Sequence, residues 1–351
     1  MKTRAAIHVG QNAPQVVDEL DLPDPGPNHV TVSLFASGIC HSQLHQIHNP
    51  NQPTPSVLGH EATGVVTGAG SGVDYVKEGD RVMVTWLTRT PSPGQRPAAA
   101  SGWAYRGQPV NFGLGGTATW TESTVVHEQY VVKLPDLVDE QLTSIIGCAV
   151  MTGAGAALNT GRVRAGDSVA VFGVGGVGLS CVQACANAGA YPIIVVDLRD
   201  DKLAFASQFG ATHFVNASIE DPVARIRELT GGVGVDCSFD AIGAPKTLEQ
   251  FYQVVRTGAN GISEPGTAVL IGVPTGPTQF QMGQMWNRRL TGSFGGGGRP
   301  ERDFPMYVRW FQEGKLPLDK LVSRRYRLEQ INDALGDLER GDIAGRSIIV
   351  F

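Results

Sequence analysis

The sequence has no long apolar run, and its first residues carry no apolar core of the kind a secretory leader needs. No hydrophobic segment approaches the roughly 20 residues of a membrane-spanning helix. The start, MKTRAAIHVG, is basic but lacks the apolar stretch of roughly 7–15 residues that defines a signal peptide. We therefore expect neither a membrane span nor a leader that is removed.

The sequence also contains few cysteines and carries only a small net charge. Five cysteines in 351 residues argue against a disulfide framework and favour the reducing cytoplasm. A net charge of −5 gives no basic surface for nucleic acid or for anionic lipid. We expect a cytoplasmic protein that acts on a small molecule and binds neither nucleic acid nor membrane.

Two patterns divide the chain, which is long enough for two domains. Up to about residue 150, alternating segments such as HVTVSLFAS predict short, mostly antiparallel strands. Beyond it, apolar strands such as SVAVF and PIIVVD alternate with segments of helix length, which predicts a parallel sheet covered by helices. The fold class is therefore α/β. We expect a mostly-β domain over 1–150 and 294–351, interrupted by a doubly wound domain over 151–293.

The segment VAVFGVGGVGLS predicts a dinucleotide site, because its glycines follow an apolar strand and open a helix. The glycines in G-x-G-x-x-G spacing are Gly173, Gly175 and Gly178. Asp197 ends the next strand, where a carboxylate can bind a ribose 2′-hydroxyl and repel a 2′-phosphate. NAD(H) is thus expected in preference to NADP(H), although Arg199 and Lys202 lie nearby and could accept a phosphate. A tight turn without a ligand is the alternative.

A second set of residues carries the chemistry of a metal site. Two cysteines and one histidine that leave a fourth position open form a catalytic zinc arrangement. Cys40, His60 and Cys148 are such a set, and the acid Glu61 adjoins the histidine. Taken singly, each has a structural alternative, since Cys148 could be a small buried hydrophobic residue and His60 a hydrogen-bonded core histidine.

The chain resembles the zinc-dependent alcohol dehydrogenases of the medium-chain dehydrogenase/reductase superfamily over essentially its whole length. Four motifs carry the resemblance, in this order: GICHSQLH, LGHEATGVV, IIGCAVMTGAGAALNT and VAVFGVGGVGLS. The resemblance implies a GroES-like catalytic domain and a Rossmann NAD-binding domain. It also implies that Cys40, His60 and Cys148 bind one catalytic zinc, which Glu61 can approach transiently.

Further positions match residues of known role in that family. By resemblance, the cofactor contacts are His41 and Arg346 at the pyrophosphate and Thr152 and Val177 beside the nicotinamide; Ser42 and His45 form the proton path; Trp86 and Trp120 line the substrate pocket. The implied reaction passes the alcohol proton from Ser42 through the cofactor ribose to His45, while a hydride goes to NAD. The two tryptophans favour an aromatic or medium-chain apolar alcohol, although Trp86 could equally belong to the core.

The sequence departs from the family pattern at two points. The region after Trp86 contains no cysteine, so we expect no structural zinc and one zinc per chain. Cys181, Cys185 and Cys237 are interpreted as packing residues. Gln43 stands where the family usually has an aspartate that hydrogen-bonds the zinc-ligand histidine. An amide carbonyl can accept that bond without charge, which predicts a more weakly held zinc. Alternatively, Gln43 points elsewhere and Glu61 supplies the charge.

Other functions remain open at this point. Within the superfamily they are a reductase of activated C=C bonds and a thiol-adduct (formaldehyde-type) dehydrogenase, and outside enzymology a nucleotide-binding sensor without activity. The resemblance also implies a homodimer or homotetramer, formed by edge-strand pairing near TAVLIGVPTG.

Overall fold

The structure is a computed structural model that describes residues 1–90, 96–135, 139–259, 263–280 and 282–351. The chain forms two compact units. The first unit comprises Met1–Cys148, Arg299–Gly314 and Leu318–Phe351. The second unit comprises Ala149–Gly298 and Lys315–Pro317. The chain therefore leaves the first unit after Cys148 and returns to it for its last strands.

The first stretch of the first unit is built from short strands. The strands are β1 (Lys2–His8), β2 (Val16–Asp21), β3 (His29–Ile39), β4 (Ser56–Val57), β5 (Ala62–Ala69), β6 (Arg81–Val84), β7 (Ala104–Tyr105), β8 (Gln108–Pro109), β9 (Asn111–Phe112), β10 (Ser123–His127) and β11 (Val131–Lys133). Helix α1 (His41–His48) follows β3, and a 3₁₀ helix over Leu142–Gly147 precedes Cys148.

The second unit alternates helices with strands. Its elements are α2 (Ala149–Gly155), a π-helical turn (Ala156–Gly161), β12 (Val169–Phe172), α3 (Gly176–Asn187), β13 (Ile193–Asp197), α4 (Asp200–Ala206), β14 (His213–Asn216), α5 (Pro222–Leu229), β15 (Cys237–Asp240), α6 (Pro245–Gln253), β16 (Thr267–Leu270) and β17 (Arg289–Gly292). The chain then adds to the first unit α7 (Pro300–Gln312), α8 (Leu318–Leu321), β18 (Val322–Arg327), α9 (Ile331–Glu339) and β19 (Arg346–Val350).

Strand β3 organises the larger sheet of the first unit, whose order is β11-β6-β5-β3-β19-β18. It pairs antiparallel with β5 over most of its length, with β10 over its first half and with β19 over its second half. A second sheet has the order β8-β7-β2-β1-β4-β9. The C-terminal strand β19 thus lies directly beside the strand that leads into α1.

The second unit contains one six-stranded parallel sheet of order β14-β13-β12-β15-β16-β17. Its central strands β12 and β15 are buried at every position, as expected for a parallel sheet packed on both faces. The expectation of an α/β fold is confirmed.

The expectation of edge-strand pairing between copies near TAVLIGVPTG stays a prediction, and the sheet shows which strand is accessible there. TAVLIGVPTG contains β16, which pairs with β15 on one side and with β17 on the other. The chain returns after β16 and places β17 at the outer position, so β16 has no free edge. Among the described strands of this sheet, β17 is the one at that edge.

None of the described helices has both the length and the apolar content that crossing a bilayer requires.

Candidate active site

Cys40 lies at the junction of β3 and α1. It is the N-cap of α1 and has an extended backbone (φ −124°, ψ 152°). Leu44 and Ile47, which lie three positions apart on one face of α1, are buried in the core that also contains Ile331 and Leu335 of α9. Because this packing fixes α1 on the end of β3, it also fixes the position of the Cys40 side chain.

The structure brings together four potential metal ligands that are far apart in the sequence. His60 and Glu61 directly precede β5, and Cys148 directly follows a 3₁₀ helix. The ligand atoms of Cys40, His60, Glu61 and Cys148 all lie within 4.8 Å of one another. Among the described residues, these four are the only group of three or more His, Cys, Asp and Glu side chains so arranged.

The donor set fits a catalytic zinc. Two sulfur atoms and one imidazole nitrogen are the zinc ligands expected for a site with an open position. His60 Nε2 is buried and has no hydrogen-bond partner in the described part of the chain, so no hydrogen bond competes with a metal for this nitrogen. His60 Nδ1 is already engaged by another side chain, so Nε2 is the ligand atom.

The thiol of Cys40 is prepared for metal binding by its neighbours. A hydrogen bond from the Cys148 thiol, which is the largest cause, and the positive charge of Arg346 lower the pKa of Cys40 well below its usual range. Burial opposes this shift but does not cancel it. Because the thiolate is the metal ligand, the site favours the binding form of Cys40.

Arg346 forms a buried ion pair with Glu61. Both side chains are buried, and the Arg346 guanidinium donates a hydrogen bond to Glu61 Oε1. The family resemblance implies that Arg346 contacts a cofactor pyrophosphate and that Glu61 lies near the metal, with no connection between the two residues. In the structure they are partners, and the pair supplies the counter-charge that a buried carboxylate needs.

Gly38 is a residue of this site that the sequence analysis did not assign. A Cβ atom at position 38 would overlap the carboxyl group of Glu61. The backbone of Gly38 also accepts a hydrogen bond from Trp120 Nε1 at 3.3 Å. The glycine of GICHSQLH therefore leaves the space that Glu61 occupies. Its position two residues before the ligand Cys40 is the sequence feature that could have indicated its role in the site.

Gln43 points directly at the ligand His60. Its side chain is buried, its Oε1 accepts a hydrogen bond from Cys40 N–H at 2.8 Å, and its Nε2 donates to His60 Nδ1 at 2.6 Å. The alternative in which Gln43 points elsewhere is wrong. The expectation that its carbonyl accepts a bond from His60 is also wrong, because the backbone of Cys40 occupies that carbonyl.

The other polar residues at the start of α1 differ in exposure. His41 and His45 are exposed, whereas Ser42 is half-buried. Ser42 Oγ is a buried atom without a hydrogen-bond partner among the described residues, so it is available for an external group. Ser42 and His45 are three positions apart, which places them on adjacent turns of one helix face.

The two tryptophans predicted for the substrate pocket have different surroundings. The ring of Trp86 lies edge-on to the ring of His60, with centroids 6.3 Å apart. Trp120 is fully buried in the same core as Leu44 and Ile47. Trp86 is thus a neighbour of the ligand cluster, whereas Trp120 packs in that core and donates its Nε1 hydrogen bond to the Gly38 carbonyl.

In the second unit, the Gly-rich turn has the geometry expected of a phosphate-binding turn. Gly173 has a φ of +88°, which favours glycine, and a Cβ at Gly178 would overlap the carbonyl oxygen of Gly173. Gly175 is exposed, and a Cβ there would meet no atom within 4 Å. The turn is therefore tight at its two outer glycines and open to a ligand at its middle one, where α3 begins.

Asp197 is connected to that turn. Its carboxylate accepts hydrogen bonds from the backbone N–H groups of Val174 at 3.1 Å and Leu198 at 2.8 Å. Arg199 directs its guanidinium to Asp201, with Nε–Oδ1 and Nη2–Oδ2 distances of 3.0 and 2.7 Å. The fork of Arg199 is thus already matched to a carboxylate; Lys202 is half-buried on α4.

Thr152 and Val177 lie on two helices in contact. A Cβ at Gly153 would overlap the carbonyl oxygen of Val177, which shows that α2 and α3 approach closely at this point. Thr152 and Val177 are both half-buried, and Thr152 Oγ1 has no hydrogen-bond partner among the described residues.

The three cysteines outside the metal cluster, Cys181, Cys185 and Cys237, are buried and unoxidised. Burial raises the pKa of the Cys237 thiol to about 12 and is also the main cause of the raised pKa of Cys181. The thiols of Cys181 and Cys237 therefore stay protonated at neutral pH, which suits a packing role.

Comparisons with known proteins agree with this geometry. Residues 26–136 match the family described as alcohol dehydrogenase GroES-like domain, and residues 176–313 match the family described as zinc-binding dehydrogenase. The NDMA-dependent alcohol dehydrogenase of Amycolatopsis methanolica is 34% identical over 97% of each chain. The S-(hydroxymethyl)glutathione dehydrogenase of Paracoccus denitrificans is 33% identical over the full length of both.

A solved structure shows the same architecture. The benzyl alcohol dehydrogenase of Acinetobacter calcoaceticus superimposes with a TM-score of 0.89 at 29% sequence identity. The match covers 100% of this chain and 99% of that one.

The buried ion pair generates a stability prediction. Arg346→Met leaves the Glu61 carboxylate buried without its counter-charge, and we expect a loss of about 3–5 kcal/mol in the free energy of unfolding. The double variant Glu61→Gln/Arg346→Met should recover part of this loss, because no uncompensated charge remains. Chemical denaturation of the metal-free proteins measures both.

The control is Arg340→Met, which removes an exposed arginine that pairs with Asp337 and Asp342. Exposed pairs contribute about 0–1 kcal/mol, so this variant should unfold nearly as the parent does. Equal effects of Arg346→Met and Arg340→Met would show that the buried pair has no special weight.

Proposed function

Because this chain belongs to the zinc-dependent alcohol dehydrogenases of the medium-chain dehydrogenase/reductase superfamily, we propose that it transfers a hydride reversibly between an apolar alcohol and NAD. The products are the aldehyde or ketone and NADH. The convergence of Cys40, His60, Glu61 and Cys148 within 4.8 Å carries the proposal. A non-catalytic nucleotide-binding protein would have no need of this cluster.

The cluster would hold one zinc through Cys40, His60 and Cys148. When bound, zinc supplies Lewis-acid polarisation of the alcohol oxygen and lowers the pKa of the hydroxyl. Glu61, held by Arg346, adds a negative charge beside this position. The chain offers no cysteine set for a second zinc in the region after Trp86.

Ser42 and His45 would handle the proton of the alcohol. Ser42 Oγ is buried and unpartnered among the described residues, so it can accept a hydrogen bond from a hydroxyl and hold its proton. His45 is exposed on the same helix, where its imidazole can exchange a proton with solvent. Ser42 and His45 of α1 would therefore each hold the proton in turn, Ser42 at a buried atom and His45 at the surface.

The second unit would bind the dinucleotide. The Gly-rich turn and the first turn of α3 would receive the pyrophosphate, with His41 and Arg346 as further contacts implied by the family. Thr152 and Val177 would lie beside the nicotinamide. Asp197 would bind the adenosine ribose hydroxyls, and its charge opposes the 2′-phosphate of NADP. The pairing of Arg199 with Asp201 supports the choice of NAD, since the Arg199 guanidinium is already matched to a carboxylate.

For the substrate we propose an aromatic or medium-chain alcohol. Trp86 lies edge-on to His60 and can offer an apolar surface close to the metal cluster. The similar structure of a benzyl alcohol dehydrogenase supports an aromatic substrate. Trp120 is retained in this proposal only as a second bulky residue, which lies in the core next to Gly38.

A thiol-adduct dehydrogenase is the second candidate, because a full-length relative is an S-(hydroxymethyl)glutathione dehydrogenase. We further propose that the enzyme is cytoplasmic and acts as a homodimer or homotetramer, with β17 as the strand that pairs between copies.

A substrate and acceptor panel tests the function. We expect turnover of benzyl alcohol and of medium-chain alcohols with NAD, and a weaker response with NADP. S-(hydroxymethyl)glutathione as the preferred substrate would establish the second candidate. Turnover with NDMA alone, without added NAD, would place this enzyme with its Amycolatopsis relative. Reduction of an enal C=C bond without alcohol oxidation would contradict both candidates.

Metal content gives a prediction for individual cysteines. The purified protein should contain about one zinc per chain, and Cys148→Ser should contain close to none, because a serine hydroxyl is a far poorer zinc ligand than a thiolate. Cys237→Ser is the matched control, since Cys237 is also buried but belongs to the second unit. Elemental analysis measures the content. Two zinc ions per chain, or equal loss in both variants, would contradict this assignment.

Cofactor preference depends on two carboxylates. Asp197→Ser removes the charge that opposes a 2′-phosphate, and Asp201→Asn releases the Arg199 fork to bind it. We expect the double variant to raise the NADP-to-NAD ratio of kcat/KM about 10-fold above that of Asp197→Ser alone, the effect of one charge-assisted hydrogen bond. Asp201→Asn alone should change the ratio little, because Asp197 remains. An unchanged ratio in the double variant would exclude Arg199 from this subsite.

A further inference from the structure

Gln43 faces two groups at once from the third position of α1. One is the backbone N–H of Cys40, at 2.8 Å from Oε1. The other is Nδ1 of His60, at 2.6 Å from Nε2. The side chain is fully buried, so no water substitutes for either partner in this arrangement. The residue therefore serves as helix cap and as partner of a metal ligand.

The backbone decides which way the amide points. The Cys40 N–H can only donate, so it requires the carbonyl oxygen of Gln43. The reverse orientation would direct the NH₂ group of Gln43 against the N–H of Cys40, placing two donors face to face. The bond to Cys40 also forms one arm of a capping box, which satisfies an N–H at the start of α1. The amide nitrogen must consequently face His60.

An amide nitrogen facing His60 Nδ1 selects one tautomer of the imidazole. Because Gln43 Nε2 can only donate, His60 Nδ1 must accept, and a neutral imidazole then carries its proton on Nε2. Nε2 is the atom that belongs to the ligand cluster. A metal needs the lone pair of Nε2, and the neutral ring offers that lone pair only when the proton is on Nδ1.

We propose that Gln43 is a positioning residue that lowers the zinc affinity of the site, because it stabilises the His60 tautomer that cannot bind zinc through Nε2. This inference rests on the proposed zinc site. When zinc binds, His60 Nδ1–H becomes a second donor, but it faces the NH₂ group of Gln43, because the only acceptor atom of that side chain, Oε1, is directed at the Cys40 N–H. Zinc binding therefore costs one hydrogen bond, at Cys40 or at His60. A carboxylate at the same place would accept both bonds.

Gln43→Glu is the isosteric test, because it replaces the donor by an acceptor without changing the shape of the side chain. We expect zinc affinity, measured by competition with a chromophoric chelator, to rise about 10- to 100-fold, the range typical for partners of metal-bound histidines. Gln46→Glu is the control, since it adds the same charge on the next turn of α1. The zinc affinity of Gln46→Glu should change much less. An equal rise in both variants would show that added charge alone raises the affinity, which would contradict the inference.

A second measurement needs no variant. In the metal-free protein, ¹⁵N NMR of the histidine rings should show His60 protonated on Nε2, and Gln43→Glu should shift the proton to Nδ1. Observing the Nδ1–H tautomer in the parent protein would overturn the inference. So would equal zinc affinities of the parent protein and Gln43→Glu. Absence of zinc binding in both proteins, with the Nε2–H tautomer present, would instead overturn the proposed zinc site.

Discussion

The first unit depends on the balance of charge in one buried cluster. A carboxylate buried as fully as that of Glu61 costs several kcal/mol unless a counter-charge accompanies it. Arg346 provides that charge, and the same guanidinium favours the thiolate of Cys40. One arginine therefore compensates an acid and prepares a metal ligand. Without it, the Glu61 carboxylate would be buried uncompensated, and the Cys40 thiolate would lose one of the groups that favour it.

Strand register brings these groups together. Cys40 follows the last residue of β3, Glu61 precedes the first residue of β5, and Arg346 is the first residue of β19. Since β5, β3 and β19 are neighbours in one sheet, the three positions meet at the same end of it. A shift of one residue in either pairing would direct the side chains to the opposite face. The ligand cluster thus depends on a strand formed by the last residues of the chain.

Sequence patterns were sufficient for the fold class, because the alternation of strands and helices after residue 150 predicts a parallel sheet. The three zinc ligands Cys40, His60 and Cys148 were proposed from the resemblance to a known family, since spacing alone left each of them with a structural alternative. The pairing of Glu61 with Arg346 could not be predicted, because 285 positions separate them and no local pattern connects them. The outer strand β17 was missed because RLTG is short, begins with a charged residue and is mostly accessible, which is typical of edges.

Gln43 shows where a sequence argument needs atomic positions. The sequence predicts a polar neighbour for His60 but does not reveal that the Cys40 N–H already occupies its carbonyl. Once that contact is known, a glutamine and a carboxylate at position 43 can be compared in the metal-free and in the metal-bound protein. Glutamine satisfies both neighbours in the metal-free protein and adds no charge to a cluster that already holds Glu61 and two thiols. A carboxylate would satisfy both neighbours with or without the metal, because His60 can carry its proton on Nδ1, but without the metal it would bury a second negative charge beside Glu61. Gln43 therefore favours the stability of the metal-free fold over the highest possible affinity for the metal.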